Sequence, residues 1–154
     1  MQRLHGTCVL ISRLGVLLRG PSGSGKSDLA LRLIDAGARL VADDQVELSR
    51  EDGRIVARAP DRLAGLIEVR GIGILRIDAA ERADVGLVVD LVPSDGRIGR
   101  PPIDRLPEVE TETLLGSTIR RLTLPAFHAS TPAKLRLAAA ALARGGLEPV
   151  PPLT

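Results

Sequence analysis

Short apolar runs separated by polar residues dominate the chain, a rhythm that predicts strands more often than helices. "CVLI", Cys8 to Ile11, and "GVLLRG", Gly15 to Gly20, are two such runs divided by Ser12–Leu14, and they predict strands meeting at a turn. The period then changes. From Ser27 to Ala36 the apolar residues at 29, 30, 33 and 34 share one face of a helix, and Gly37 stops it. "RLVADD", Arg39 to Asp44, predicts a strand ending in two carboxylates. Val46–Leu48 and Ile55–Ala57 flank Asp52-Gly53, a hairpin turn signal. "DRLAGLIEV" predicts one helical turn entering "RGIGILRI", a strand, and "DVGLVVDLV", Asp84 to Val92, predicts a buried strand. Pro93 to Pro107, rich in Pro, Gly and Arg, predicts an exposed loop. "RRLTLPA" predicts a last strand. Thr131-Pro132 offers an N-cap and a first-turn proline to a helix through Ala143, stopped by Gly145-Gly146. With no internal repeat and no linker, the expectation is a single α/β domain over residues 1–154.

Composition narrows the chemistry. Hydrophobic residues make up 44% of the 154, yet aromatics only 1%, so the core must be Leu, Val, Ile and Ala. With no Trp or Tyr and one Phe there is no stacking platform for single-stranded nucleic acid. Net charge is +2, and the arginines are scattered, which reads as solvated surface rather than a nucleic-acid patch. Cys8 stands alone, so no internal disulfide forms, as suits a cytoplasmic protein in a reducing compartment. The first twenty residues superficially resemble a signal peptide. Arg13 interrupts the apolar run and no small-residue cleavage site follows, so export is not expected. No apolar run approaches the ~20 residues of a membrane span.

One stretch carries chemistry. Gly20, Pro21, Ser22, Gly23, Ser24, Gly25, Lys26 and Ser27 match G-x-x-x-x-G-K-[ST], the phosphate-binding P-loop. Glycines let the backbone turn its N–H groups inward at phosphate oxygens. A helix starting near Ser27 adds its positive dipole end. Lys26 is a mobile charge for the outer phosphates, and the Ser27 hydroxyl can ligate magnesium. By chance such a match arises in about one chain of this length in two hundred. Here a strand precedes it and a helix follows, the context the motif requires. Apart from Lys26 the only lysine is Lys134.

Phosphoryl transfer also needs metal ligands and a group that takes the nucleophile's proton. Asp43 and Asp44 end a strand one helix after the loop, where side chains should alternate between faces. One can face magnesium or its waters and the other an incoming hydroxyl; equally, paired Asp can simply start the turn before the hairpin. Glu68 and Arg70 in "IEVRGIGIL" should share a strand face, either as an acid and a base in a site or as a surface ion pair.

"GPSGSGKSDLALRLIDAGARLVADD" followed by "IEVRGIGIL" resembles the C-terminal catalytic domain of the HPr kinase/phosphorylases, over His5 to about Ala143. The resemblance implies a P-loop domain with a mixed sheet, similar to phosphoenolpyruvate carboxykinase-type kinases. It implies a protein serine kinase that uses ATP and magnesium and acts on HPr, the phosphocarrier of a sugar phosphotransferase system. His5 in "RLHG" matches an active-site histidine, Lys26 the phosphate-binding lysine and Ser27 a magnesium ligand. Asp44 matches the proton acceptor, with Asp43 beside it as a metal-side carboxylate, and Glu68 matches a second magnesium ligand. Arg105 in "DRLP" matches a catalytic arginine, across a variable loop. The family implies an oligomer, a hexamer.

Two departures stand out. Typical members carry a further N-terminal domain, which this chain is expected to lack. After the last strand the family usually has P-V-x-P-G-R-N, tied to dephosphorylation; here Pro125-Ala126-Phe127-His128-Ala129-Ser130-Thr131 has neither the glycine nor the arginine. Kinase activity is therefore expected and phosphorolysis is not supported. A P-loop kinase for another substrate and a non-catalytic nucleotide sensor are the alternatives; Asp44 with Glu68 favours the enzyme, since a sensor needs no base. An RNA-binding module is disfavoured by the missing aromatics.

Overall fold

The computed structural model describes residues 1–93 and 105–146. Strands β1 (Gln2–His5), β2 (Thr7–Ile11) and β3 (Leu14–Arg19) open the chain, and helix α1 (Lys26–Asp35) follows the glycine-rich loop. Then come β4 (Arg39–Ala42), the hairpin β5 (Gln45–Glu51) and β6 (Arg54–Arg58), and a 3-10 turn at Asp61–Leu63. Next are β7 (Leu66–Val69), β8 (Gly73–Arg76) and the long β9 (Ala83–Val92). β10 (Glu110–Leu114), β11 (Ser117–Pro125) and α2 (Thr131–Ala143) complete it. Of the expected loop at 93–107, residues 94–104 lie outside the described residues.

Among the described residues, nine strands form one mixed sheet in the order β1-β5-β6-β9-β3-β2-β4, with β11 and then β10 branching from β9. β9 makes the branch possible by its length. Ala83 and Asp84 pair with β6, whereas Leu87 to Val92 pair with β11 on that same side. β3 and β11 both run parallel to β9. β2 is antiparallel to β3 and to β4, so β4 runs the same way as β3. The C-terminal ends of β4, β3, β9 and β11 therefore share one edge of the sheet, the edge at which ligands bind in open α/β sheets.

Side chains alternate across this sheet into two cores. Val16, Leu18, Leu87 and Val89 face α1 and α2, meeting Leu29, Leu33, Leu135 and Ala139. Leu17 and Val88 point the other way, onto Leu48 and Ile55. The middle of β3 and of β9 is thus covered on both faces, which is why Val16–Leu18 and Leu87–Val89 read as apolar runs. Each buried Leu or Val contributes roughly 1.5–3 kcal/mol. Cys8 belongs to the second core; burial pushes its thiol pKa up to about 12, so it serves as an apolar filler.

Some expectations fail instructively. "RGIGILRI" is not one strand but the turn and second strand of the β7–β8 hairpin. β1 and β10 carry no apolar run and pair as polar edge strands, so periodicity did not reveal them. The N-cap position of α2 is Ser130, not Thr131, and no side chain caps the helix; the Thr131 hydroxyl instead donates to the Pro125 carbonyl at 2.5 Å, closing the turn after β11.

Arg19, the last residue of β3, holds that edge together. Its guanidinium donates to both Asp90 oxygens, at 2.9 and 3.2 Å, and to both Glu112 oxygens. All three side chains are about a quarter exposed, so solvent screens the pairing in part. Arg19→Met should leave Asp90 and Glu112 facing each other and lower stability by about 1–3 kcal/mol. Urea unfolding followed by far-UV circular dichroism checks this; an unchanged midpoint would contradict it.

Candidate active site

The loop at the end of β3 lines one wall of a cavity of about 310 Å3. Its glycines place α1 directly behind it. Gly25 is the N-cap, in the left-handed region at φ 99, and no side chain caps the helix. The first-turn N–H groups and the helix dipole thus favour an anion at this end. The Lys26 ammonium folds back over the loop, donating to the carbonyls of Gly20 (2.6 Å) and Pro21 (3.1 Å). Burial lowers its pKa, opposed by the charges of Asp44 and Asp43.

Asp43 and Asp44 divide sharply. β4 ends at Ala42, so the pair lies in the bend beyond the strand rather than on its two faces as expected. Asp43 is buried. Its Oδ1 accepts from the hydroxyls of Ser27 (2.7 Å) and Thr7 (3.1 Å), and its Oδ2 accepts the backbone N–H of Glu68 (3.1 Å). One carboxylate so joins β2, the start of α1 and β7. Asp44 faces the cavity, with a side chain 65% exposed and its Oδ1 3.5 Å from Nδ1 of His5. Its φ is 71, and the N–H of Gln45 donates to the carbonyl of Asp43 at 2.8 Å. That bond around a positive-φ residue is a γ-turn of the rare, strained kind. Strain of this sort is held only where the surroundings impose it, and it collects at functional sites.

His5, Ser22, Gly23, Gly25, Lys26, Ser27, Asp44 and Glu68 all line the cavity. Gly20, Pro21 and Ser24 shape the loop behind it, with the Ser24 N–H donating to the Pro21 carbonyl. Asp43 supports the wall from beneath. Arg105 is exposed and is absent from the lining. Arg70 does line the cavity, from the turn beyond β7 rather than from the strand face it was expected to share with Glu68. Thr7 and Leu31 were missed by sequence reading. The only signal for Thr7 is a hydroxyl in an otherwise apolar strand, and for Leu31 a large apolar residue off the helix face formed by 29, 30, 33 and 34.

Oxygen ligands suit magnesium, and Ser27, Asp43 and Glu68 bring only oxygens. Among the described residues no cluster of three or more His, Cys, Asp and Glu is placed to hold a metal by itself. Magnesium bound through one or two carboxylates and substrate phosphates needs no such cluster, so the residues fit. The strain at Asp44 is testable. Asp44→Gly should stabilise the protein by up to about 1 kcal/mol, since glycine adopts positive φ freely. Chemical denaturation measures it, and a loss of stability would contradict the assignment of strain.

A family model described as the HPr Serine kinase C-terminal domain matches residues 1–145. The chain is 36% identical over 132 residues to an HPr kinase/phosphorylase of Clostridium beijerinckii, covering 80% of this chain, and 38% identical over 132 residues to one of Clostridium kluyveri, with the same coverage. It spans 42% of the length of each of these relatives. The solved structure of the Hpr(Ser) kinase/phosphatase from Coxiella burnetii is similar with a TM-score of 0.78 and 29% identity, over 94% of this chain and 91% of that one. A match across the loop, both aspartates and the last helix leaves one conclusion: the chain belongs to the HPr serine kinase C-terminal domain family.

Proposed function

We propose that this chain is a P-loop protein serine kinase that transfers the γ-phosphoryl group of ATP to a serine of an HPr-like phosphocarrier. One observation carries the reading. The phosphate loop with Lys26 and the exposed carboxylate of Asp44 line a single cavity, the two halves a phosphoryl transfer needs. The printed names of the relatives support the phosphocarrier as substrate. The mixed sheet, with the loop at the C-terminal end of β3, supports the P-loop assignment. Kinship to phosphoenolpyruvate carboxykinase-type kinases and a single catalytic domain over 1–154 belong to the same proposal.

In this mechanism the phosphates of ATP take the place of the loop carbonyls as partners of Lys26, whose charge then offsets that of the transferring group. A serine alcohol is a weak nucleophile at neutral pH. Asp44 accepts its proton as the serine oxygen bonds to the γ-phosphorus. The bond from that phosphorus to the bridging oxygen breaks, and ADP leaves. His5, beside Asp44, orients the carboxylate. Ser27 and Glu68 would hold magnesium, with Asp43 fixing the Ser27 hydroxyl, and the ion would neutralise charge on the phosphate oxygens. A role for Arg105 would require this exposed residue to reach the cavity with substrate bound. No described helix is long and apolar enough to cross a membrane, and a cytoplasmic location is proposed with the substrate. Ile72 and Ile74, exposed on the β7–β8 hairpin, support the proposed oligomer.

Incubation with labelled ATP, magnesium and a phosphocarrier tests the reading. Lys26→Ala should abolish transfer and weaken ATP binding. Asp44→Asn should keep ATP binding but lose transfer by a factor on the order of hundreds to thousands. Transfer at the parent rate by Asp44→Asn would refute the base assignment, and unchanged ATP affinity in Lys26→Ala would refute the loop.

Direction is the second test. In the turn after β11, Arg32 is the guanidinium that reaches the backbone. It is engaged by the carbonyls of Ala126 and His128 and by Asp28. Inorganic phosphate, the attacking group in reversal, should bind poorly there. Pyrophosphate release from phosphorylated carrier plus phosphate should be clearly slower than the kinase reaction at pH 7.5; equal rates would show that this turn does not set the direction.

A further inference from the structure

We propose that Phe127 is the platform on which the base of the nucleotide stacks, with Arg32 as the positioning residue that fixes it. The inference rests on the reading of the loop as a nucleotide site and adds the place of the nucleoside.

Phe127 is the only aromatic residue of the chain, and it is 64% exposed. Single exposed apolar residues are ordinary. This one differs in where it sits and how it is held. Its ring lies directly on the loop: a Cβ added to Gly25 would meet Cζ of Phe127 at 2.8 Å and Cβ of Ala126 at 2.7 Å. Glycine at 25 is therefore what lets the ring approach the phosphate loop at all. The turn beneath the ring is clamped. Arg32 donates to the carbonyls on both sides of Phe127, those of Ala126 and His128, while its Nε donates to Asp28 at 3.0 Å. The buried Thr131 hydroxyl holds the Pro125 carbonyl. An exposed ring on a backbone fixed at three carbonyls is pre-organised to bind, because little freedom is left to lose.

Topology says what it binds. Along the shared edge of the sheet, β4 lies to one side of β3 and β11 to the other. The bend after β4 carries Asp44, where phosphoryl transfer would occur. A phosphate chain seated in the loop after β3 has two ends. If its reactive end points to Asp44, the nucleoside must leave toward the turn after β11, and Phe127 lines the cavity there with Leu31. A planar base has a π-face that any phenyl ring can stack on. The site contrasts with the rest of the chain, whose core uses no aromatic side chain.

The chain has no other aromatic chromophore, which makes the test clean. Phe127→Trp supplies a single tryptophan. Titrating ATP should change its emission saturably, and inorganic tripolyphosphate, which has the phosphates but no base, should reverse the change by competition without producing one of its own. By calorimetry Phe127→Ala should bind ATP about five- to a hundredfold more weakly, with tripolyphosphate affinity unaltered. Arg32→Met should weaken ATP binding in the same selective way, and Arg32→Lys should restore it only in part. Equal loss of ATP and tripolyphosphate in Phe127→Ala, or no loss of either, would overturn the proposal. So would unaltered ATP affinity combined with lost transfer to the phosphocarrier, which would assign Phe127 to the protein substrate. If the parent protein binds tripolyphosphate and ATP equally well, the loop reading survives and the base platform fails. If it binds neither, both fail.

Discussion

The carboxylate of Asp43 is the interaction on which the site depends. A buried charge is costly unless hydrogen bonds replace the water it loses. Asp43 recovers three, from Thr7, Ser27 and the N–H of Glu68, and each donor comes from a different part of the chain. Thr7 stands in β2, Ser27 in the first turn of α1 and Glu68 in β7. The glycine-rich loop and the β7–β8 hairpin share no backbone pairing among the described residues, and this carboxylate hydrogen-bonds both to the first turn of the helix that follows the loop and to the first strand of the hairpin, beside the packing of α1 on β7. Hydrogen bonds to charged groups contribute roughly 1.5–3 kcal/mol each, so the tie is strong on the scale of a domain's stability.

Its neighbour is freed by the same arrangement. Because Asp43 is bound inward, the chain must reverse within one residue to start β5. Asp44 absorbs that reversal at φ 71, and its side chain is left in the cavity. A strain of order 1 kcal/mol or more is the cost of putting a carboxylate there. On the other side of the loop Arg32 does for the β11 turn what Asp43 does for the hairpin, holding backbone that lies outside the main sheet. The loop is thus flanked by two fixed walls, and the charge between them is the buried ammonium of Lys26, held on the carbonyls of Gly20 and Pro21.

How much of this was legible follows from what each residue has to do locally. The strands covered on both faces along their middles, β3 and β9, were plain because burial on both sides forces an apolar run there. α1 was plain because it lies with one face on the sheet. The polar edge strands β1 and β10 were not, since their pairing partners are remote and no local pattern marks them. The turn at Gly71 that folds β7 onto β8 was lost inside "RGIGILRI" because glycines at 71 and 73 also fit a strand bulge. Of the site, the loop was legible as a motif, while the division between Asp43 and Asp44 was not. Two adjacent identical residues look alike in a sequence, and only the tertiary donors around Asp43 tell them apart. Thr7 was invisible for the same reason. The resemblance to the family named Asp44 as the proton acceptor, the role proposed here for it, and the structure shows its side chain exposed in the cavity.

Native-state amide hydrogen exchange, compared between the parent protein and Asp43→Ala, measures whether this carboxylate holds the site together. In Asp43→Ala protection at Glu68 should be lost, the β7–β8 hairpin and the start of α1 should exchange faster with it, and β9 should keep its parent protection. A Glu68 amide equally protected in both proteins would contradict this, because the hairpin would then be held by something other than the carboxylate of Asp43.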